Sequence, residues 1–190
     1  MILDARTIIP YLWAATGVVW LIGAFTAKRT SRRQSPGSRL VQLTIAVVAF
    51  TIGFNKRFEV GLLARSFLPD SPAVTFAGLA ATFAGLCIAL WARLRLGRNW
   101  SGTVTLKENH TLIRKGPYSL VRHPIYSGIL LALLGTALVF REVRNLVTLG
   151  LVLVMLLLKI RTEEQFMLEQ FGAEYQEYSQ KVKALIPFVY

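Results

Sequence analysis

The sequence predicts an all-α integral membrane protein with about five transmembrane helices and a C-terminal amphipathic helical tail. Of its 190 residues, 54% are hydrophobic and 17% are charged, whereas an average soluble domain has roughly 25% charged residues. Long uncharged runs alternate with basic loops, which is typical of a multi-pass membrane protein. One cysteine and two histidines argue against a disulfide framework and against a metal site, and we expect none.

Five uncharged runs mark the predicted spans. A transmembrane helix needs about 20 apolar residues to cross ~30 Å of hydrocarbon, and the first and third runs have that length. The first run is too long for a signal-peptide core, and the segment before it is not clearly basic, so we expect it to persist as a helix. The last two runs are predicted to form a tight hairpin. The runs cover residues 8–27, 40–54, 72–92, 124–140 and 146–158.

The basic residues of the loops predict the orientation. With five spans, the linker 28–39, the segment 93–123 and the tail after residue 158 lie on one side, with five, seven and four Lys or Arg, or 16 of the 22 in the chain. By the positive-inside rule that side faces the cytoplasm. The net charge of +12 then reflects topology and contact with anionic membrane lipids. We expect no nucleic-acid partner, because no aromatic-rich basic groove accompanies the charge.

Polar residues collect at the two ends of the predicted hairpin. No Asp, Glu, Lys or Arg lies in the middle of a span, which disfavours a proton relay, an ion channel or a charge-coupled transporter. Both histidines and most of the unusual polar residues lie in two segments, 100–126 and 159–190. Because a hairpin returns its ends to one place, we expect the segments before Pro124 and after Leu158 to meet at the cytoplasmic membrane surface.

The first of these segments contains the motif GPYSLVRHPIY at residues 116–126. Pro124 suits the first turn of a helix, where its missing N–H would have no partner. His123 is then at or near the N-cap, and Tyr126, three residues later, can share its face. Free N–H groups at a helix start attract a carboxylate or a phosphate. The alternative is that His123 and Tyr126 only anchor the helix in the membrane interface.

The second segment begins with KIRTEE at residues 159–164. Lys159 and Glu163 are four residues apart and can form a helical salt bridge, so the segment can equally be a solvated helix end with interfacial charges. The aromatic residues that follow fit a helix lying on the membrane or on the hairpin. Gly172 is predicted to break this tail into two pieces.

Together these motifs resemble the isoprenylcysteine carboxyl methyltransferase family, which belongs to a wider group of membrane methyltransferases including phospholipid N-methyltransferases. The resemblance rests on the order and spacing of KENHTLIRKGPYSLVRHPIYSG, KIRTEE and FGAEYQEYSQKVKALIPF. It covers residues 98–190, predicted as the methyltransferase core. Residues 1–97 carry only the hydropathy pattern of about three transmembrane helices.

The resemblance implies a binding site for S-adenosyl-L-methionine at the cytoplasmic membrane face. It also implies a methyl acceptor that is a lipophilic, isoprenylcysteine-like carboxylate. The implied cofactor-binding residues are His110, Thr111, Leu112, Ile113, Tyr118, His123, Pro124, Ile125, Tyr126, Glu163 and Glu164. Glu163 is also implied in catalysis. The basic residue that holds the acceptor carboxylate falls on Lys159 or Arg161, and a lysine would lack the planar fork of an arginine.

The chemistry of these residues suits that cofactor. A carboxylate side chain can pair with the ammonium of S-adenosyl-L-methionine or accept from its ribose hydroxyls. The N–H groups at the helix start, together with His123, can hold the carboxylate of the cofactor. Leu112, Ile113 and the tyrosines can sandwich its adenine. A carboxylate acceptor is already ionised at neutral pH, so orientation and removal of water from the anion suffice without a general base.

Several alternatives stay open at this stage. A phospholipid N-methyltransferase would use the same cofactor site but would need a base, such as His123, for its amine acceptor. An NADPH-dependent membrane reductase would have to place a ribose phosphate beside two acidic residues that repel it. A non-enzymatic membrane module is the third alternative. Small residues of the third span, including Gly78 and Gly85, either line a groove for a lipid chain or let helices pack closely.

Overall fold

The computed structural model describes residues 4–25, 30–33, 35–97, 105–107 and 112–189. Within these ranges the chain forms six α-helices: α1 (Ala5–Phe25), α2 (Pro36–Phe54), α3 (Pro72–Leu96), α4 (Pro124–Phe140), α5 (Val143–Phe171) and α6 (Ala173–Lys181). Short 3-10 helices cover Lys56–Phe58, Gly61–Ala64 and Gly116–Ser119. Two short strands, β1 (Thr30–Arg33) and β2 (Thr105–Lys107), pair in antiparallel fashion, a feature that the sequence did not predict.

The helices confirm the predicted class of an all-α integral membrane protein. Helices α1, α2, α3 and α5 are long and apolar enough to cross a membrane. Helix α4 is also apolar but has 17 residues, which gives a length of about 26 Å at 1.5 Å per residue and places it at the lower limit for a span. Each of the five predicted runs overlaps one of these five helices. The orientation of the bundle stays a prediction.

Proline and glycine set several helix boundaries. Helices α2, α3 and α4 each begin with a proline, at the position where a missing N–H has no cost. Gly172 separates α5 from α6 with a φ of 51°, a left-handed conformation that favours glycine. The predicted break in the C-terminal tail is therefore confirmed. Helix α5 is continuous from the last apolar run into the charged segment, and it carries Lys159 to Glu164 on an extension of the span.

Glycines bring α3 and α4 into close contact. Gly78 and Gly85 of α3 lie against Gly135 and Gly128 of α4, and a Cβ atom placed on Gly85 would be 2.5 Å from the Gly128 carbonyl oxygen. Such contacts let two helix backbones approach each other closely in a membrane. For Gly78 and Gly85, the helix-packing interpretation is confirmed and the groove interpretation is wrong.

The turn between α4 and α5 lies at the opposite end of the bundle from Lys159. It consists of Arg141 and Glu142, because α5 starts at Val143, earlier than predicted. The guanidinium of the buried Arg144 pairs with Glu142 at 2.5 Å and with Glu59 at 2.6 Å. The loop between α2 and α3 is thereby tied to the start of α5.

We expect Gly85→Ala to lower the free energy of unfolding by about 1–3 kcal/mol, the usual cost of overpacking a tight core. The added methyl group would meet backbone atoms of α4, which cannot move aside as a side chain can. Thermal unfolding of the detergent-solubilised protein measures the change. Gly150→Ala in α5 is the matched control, because outside its own stretch of helix no atom of the described residues lies within 4 Å of its added Cβ. Equal melting temperatures for the two variants would contradict the packing interpretation.

Candidate functional site

Three segments meet where α4 begins: the chain before Pro124, the charged part of α5, and the tail after α6. The backbone N–H of His123 donates to the Ala184 carbonyl at 2.9 Å, and that of Arg122 donates to the Lys183 carbonyl at 2.8 Å. The side chains gathered there form a polar cluster of Arg122, His123, Tyr126, Lys159, Glu163 and Glu164. The expected meeting of the two hairpin ends is confirmed, and the tail joins them.

His123 is the N-cap residue of α4 and lies between two carboxylates. Its Nε2 atom is 3.1 Å from Oε1 of Glu164, and its Nδ1 atom is 3.4 Å from Oε2 of Glu163. The imidazole is 10% exposed. Because both ring nitrogens face carboxylate oxygens, the arrangement suits a doubly protonated imidazolium that donates from both nitrogens.

The electrostatics favour that charged form. Burial by itself lowers the pKa of His123, but the hydrogen bonds and negative charges of Glu163 and Glu164 outweigh burial and raise the pKa above its ordinary value. A nearby negative charge favours the protonated state of a histidine. At neutral pH the imidazole is therefore less available as a base than an ordinary histidine.

Tyr126 links His123 to α5. Its ring stacks on the imidazole with a centroid distance of 5.4 Å and an angle of 2° between the planes, which confirms that the two residues share a face. Its hydroxyl donates to Oε1 of Glu163 at 2.6 Å. The ammonium nitrogen of Lys159 lies 5.4 Å from the centroid of the Tyr126 ring, within the range of a cation–π contact.

The two basic candidates for binding an acceptor occupy different faces of α5. Lys159 precedes Glu163 by one helical turn and lies on the same face, over the Tyr126 ring. Arg161 is exposed, and two residues correspond to about 200° of helical rotation, which turns it away from Glu163. The structure therefore brings Lys159 to the cluster and does not bring Arg161 there.

Arg122 is a member of the cluster that the sequence interpretation missed. Its Nε and Nη2 atoms lie 2.8 Å and 2.7 Å from Oε1 of Glu164. Its Nη1 atom donates to the carbonyls of Ser179 and Val182 at 2.9 Å and 2.5 Å. In the sequence it was one of many basic loop residues, and its place directly before His123 was the signal that could have identified it.

An apolar cluster adjoins these polar groups. It contains the buried residues Ala92, Tyr118 and Ile125, with Ile113 and Tyr126 packed against them. The Tyr118 hydroxyl donates to the Ala92 carbonyl at 3.3 Å, and burial raises the pKa of this phenol. Four of the residues implied in cofactor binding, namely Ile113, Tyr118, Ile125 and Tyr126, thus belong to one apolar cluster.

Comparison with known proteins places the chain in a family. A family model described as phospholipid methyltransferase matches residues 73–174, which is more than half of the chain. The chain belongs to the phospholipid methyltransferase family. The match begins in α3 and ends in α6, so it includes every side chain of the polar cluster.

Individual relatives of this phospholipid methyltransferase family member carry more specific names. A probable protein-S-isoprenylcysteine O-methyltransferase of Oryza sativa subsp. indica is 36% identical over 119 residues, which are 61% of this chain and 62% of that protein. Protein-S-isoprenylcysteine O-methyltransferase of Saccharomyces cerevisiae is 38% identical over 96 residues, 49% of this chain and 40% of that protein. Protein-S-isoprenylcysteine O-methyltransferase B of Arabidopsis thaliana is 30% identical over 115 residues, 59% of this chain and 58% of that protein. The chain thus spans about three fifths of the rice relative.

Of the four remaining predicted residues, the structure describes Leu112 and Pro124. Leu112 is half-buried beside Ile113, and Pro124 is buried in the first turn of α4. His110 and Thr111 lie outside the described residues. Strand β2 ends at Lys107, three residues before His110, so the antiparallel pair β1–β2 leads into that part of the chain.

The hydrogen bonds at the start of α4 restrict one expectation. The backbone N–H groups of Tyr126 and Ser127 donate to the His123 carbonyl at 3.0 Å and 3.1 Å. The carbonyl of the N-cap residue His123 therefore accepts both hydrogen bonds and closes the first turn of α4. These two N–H groups are therefore not available to an incoming carboxylate. Because Pro124 has no N–H, the prediction that N–H groups at the start of α4 hold a carboxylate now concerns the N–H of Ile125, and there it stays a prediction.

We expect His123 to make the stability of the fold depend on pH. Because its folded-state pKa is raised, its stabilising contribution is complete below the ordinary pKa of about 6.5 and is lost as the pH rises through the folded value. Each pKa unit of difference corresponds to about 1.4 kcal/mol. The melting temperature of the wild type should therefore fall from pH 6 to pH 9 by more than that of His123→Gln. His110→Gln is the control, and an identical pH dependence of wild type and His123→Gln would contradict the expectation.

Proposed function

We propose that this family member is an S-adenosyl-L-methionine-dependent methyltransferase that esterifies the carboxylate of a lipophilic, isoprenylcysteine-like acceptor. The observation that carries the proposal is the cluster of His123, Tyr126, Glu163 and Glu164, gathered at one end of a membrane bundle. The names of the relatives support the acceptor class. The proposal places the site at the cytoplasmic face, where 16 of the 22 basic residues are expected.

The side chains of the cluster fit the cofactor. When bound, S-adenosyl-L-methionine supplies a methyl group activated by its sulfonium charge. Each carboxylate has about four acceptor positions, and the contacts of Glu164 with Arg122 and His123 all fall on Oε1. The second oxygen, Oε2, takes no part in them, so Glu164 can accept from an ammonium or a hydroxyl. The apolar cluster around Ile113 and Tyr118 offers a surface for an adenine.

Lys159 is the residue that we assign to the acceptor carboxylate. Its ammonium group lies over Tyr126 on the face of α5 that carries Glu163, whereas Arg161 is turned away. A lysine binds an anion as a point charge and not through a planar fork, so it attracts the carboxylate without fixing its plane. Orientation of the acceptor then depends on the membrane and on packing around its lipid chain.

The geometry favours a carboxylate acceptor over an amine. An amine acceptor has to lose a proton, and His123 is the nearest candidate base. Both of its ring nitrogens face carboxylates, and its pKa is raised, so it is poorly placed to accept a proton from an amine. A carboxylate needs no such step, and its attack on the methyl group requires only alignment and loss of hydrating water.

A phospholipid N-methyltransferase is the second candidate. The description of the matching family model favours it, and the cofactor site would be the same. Both candidates draw their acceptor from the membrane, in keeping with a multi-pass protein whose polar cluster lies at the ends of its apolar helices.

For the first candidate, methylation of a carboxylate removes one negative charge and so strengthens membrane association of the product.

The deciding experiment offers both acceptors to the purified protein in lipid nanodiscs. With methyl-labelled S-adenosyl-L-methionine, a farnesylated cysteine derivative should gain a base-labile methyl ester, while phosphatidylethanolamine should gain no label. A base-stable label on the lipid amine would establish the second candidate instead. Binding of NADPH without binding of S-adenosylhomocysteine would exclude both methyltransferase proposals and favour the reductase.

We expect Glu163→Ala to weaken binding of S-adenosylhomocysteine about tenfold or more, because a charge-assisted hydrogen bond is worth roughly 1.5–3 kcal/mol. Isothermal titration calorimetry of wild type and variant measures the change. Glu177→Ala is the matched control, since Glu177 is an exposed acidic residue paired with Lys181 on α6. Unaltered affinity in Glu163→Ala would remove this residue from the proposed site.

We expect Lys159→Ala to raise the KM for the prenylated carboxylate about tenfold, in line with the loss of one charge-assisted contact, and to leave cofactor affinity nearly unchanged. Arg161→Ala should change the KM by less than about twofold, as for an exposed charge. Initial-rate kinetics with varied acceptor measure both values. A larger effect from Arg161→Ala would reverse the assignment of the two residues.

A further inference from the structure

We propose that Arg122 is a positioning residue that holds Glu164 against His123 and makes this arrangement depend on the docked C-terminal tail. The inference concerns the site of the proposed function and rests on it for the consequence in cofactor binding. The arrangement itself is a property of the protein alone. It can therefore be tested without any ligand.

The guanidinium of Arg122 has two sets of partners at once. Its Nε and Nη2 atoms contact Oε1 of Glu164, the same oxygen that faces His123 Nε2. Its Nη1 atom donates to the Ser179 and Val182 carbonyls. One rigid, planar group therefore fixes a carboxylate on one side and a stretch of backbone on the other.

The backbone partners lie at the end of α6. The last carbonyls of a helix have no partner within the helix, and a positive charge at that end is favourable. Arg122 provides both a donor and a charge there, and its side chain is only 12% exposed. A lysine could reach one of these partners but not all of them, because its single ammonium lacks the fork geometry of arginine.

The tail is bound on both sides of His123. Its Ala184 carbonyl accepts from the His123 N–H, and its Leu185 carbonyl accepts from the Ser127 hydroxyl at 2.6 Å. The Tyr178 hydroxyl donates to the Tyr118 carbonyl at 2.5 Å. If the tail were displaced, Arg122 would lose its carbonyl partners and Glu164 would lose the donor that orients it.

A second arginine provides a matched control. Arg114 forms an ion pair with Glu174 of α6, so it joins the same two segments of the chain as Arg122 does. Both side chains of that pair are exposed, at 41% and 49%. The pair does not include Glu163 or Glu164. A variant at Arg114 therefore removes one exposed contact to α6, while the contacts of Arg122 with the tail and with Glu164 stay in place.

The first readout is the pKa of His123, measured by NMR titration of the cofactor-free protein in detergent, with His110→Gln used for assignment. The charged groups facing His123 are Glu163 and Glu164 of α5 and the neighbouring Arg122, with Lys159 behind Tyr126. If Arg122 positions Glu164, then Arg122→Gln releases this carboxylate, and the pKa of His123 falls by about 1. Arg114→Gln should leave the pKa unchanged.

Two results would overturn the proposal. A rise in the pKa of His123 in Arg122→Gln would mean that Arg122 acts only as a nearby positive charge, since removal of a cation favours the imidazolium. An unchanged pKa would mean that Arg122 only fastens the tail. If Arg122→Gln does not fold, Arg122→Lys gives the same test, because it keeps the charge and loses the fork. A fall is again expected, and an unchanged or raised value again contradicts the proposal.

The second readout is calorimetry with S-adenosylhomocysteine. We expect Arg122→Gln to weaken binding about tenfold and Arg122→Lys to weaken it by a smaller factor, while Arg114→Gln stays within about twofold of the wild type. If Arg122 and Arg114 variants bind equally well, the positioning role is wrong although the proposed function stands. If the wild type does not bind, the proposed function fails, and the pKa of His123 alone decides the role of Arg122.

Discussion

An imidazole held between two carboxylates is the interaction on which the rest of the site depends. His123, Glu163 and Glu164 are largely removed from solvent, and burial of charges is unfavourable unless each charge finds partners. Tyr126 and Arg122 supply the missing donors. A network of this kind is stable only when all of its members are satisfied, which explains why three segments of the chain have to meet at one point.

The membrane bundle provides the rigid frame for that network. Glycine contacts fix α4 against α3, so the N-terminus of α4 and its N-cap histidine have a defined position. Helix α5 extends without interruption from its apolar part to the glutamates, so the acidic pair is carried on a continuous helix. Gly172 then lets the chain turn back, and the tail closes the cluster from the third side.

The position of the cluster suits chemistry on a molecule that is partly in the membrane. The polar cluster lies at the ends of the apolar helices, where the basic and acidic side chains begin. In the function that we propose, a lipophilic acid would keep its chain in the bilayer while its charged end reaches Lys159, and no general base would be needed. The raised pKa of His123 fits a role in organising charge, and it disfavours a role in accepting a proton from an amine.

Apolar run length, proline and glycine act locally, and the two ends of a hairpin return to the same place. The five apolar helices, the membrane class, the break at Gly172 and the meeting of the hairpin ends could therefore be predicted from the sequence. The family resemblance had already implied His123, Tyr126, Glu163 and Glu164 as site residues, and the tertiary structure decided how these side chains contact one another. The start of α4 and the charged part of α5 meet only in the folded chain, which makes Arg122 a partner of Glu164, and the tail adds two carbonyls to the same guanidinium. Those contacts join residues about 40 to 60 positions apart, and no local pattern encodes such distances.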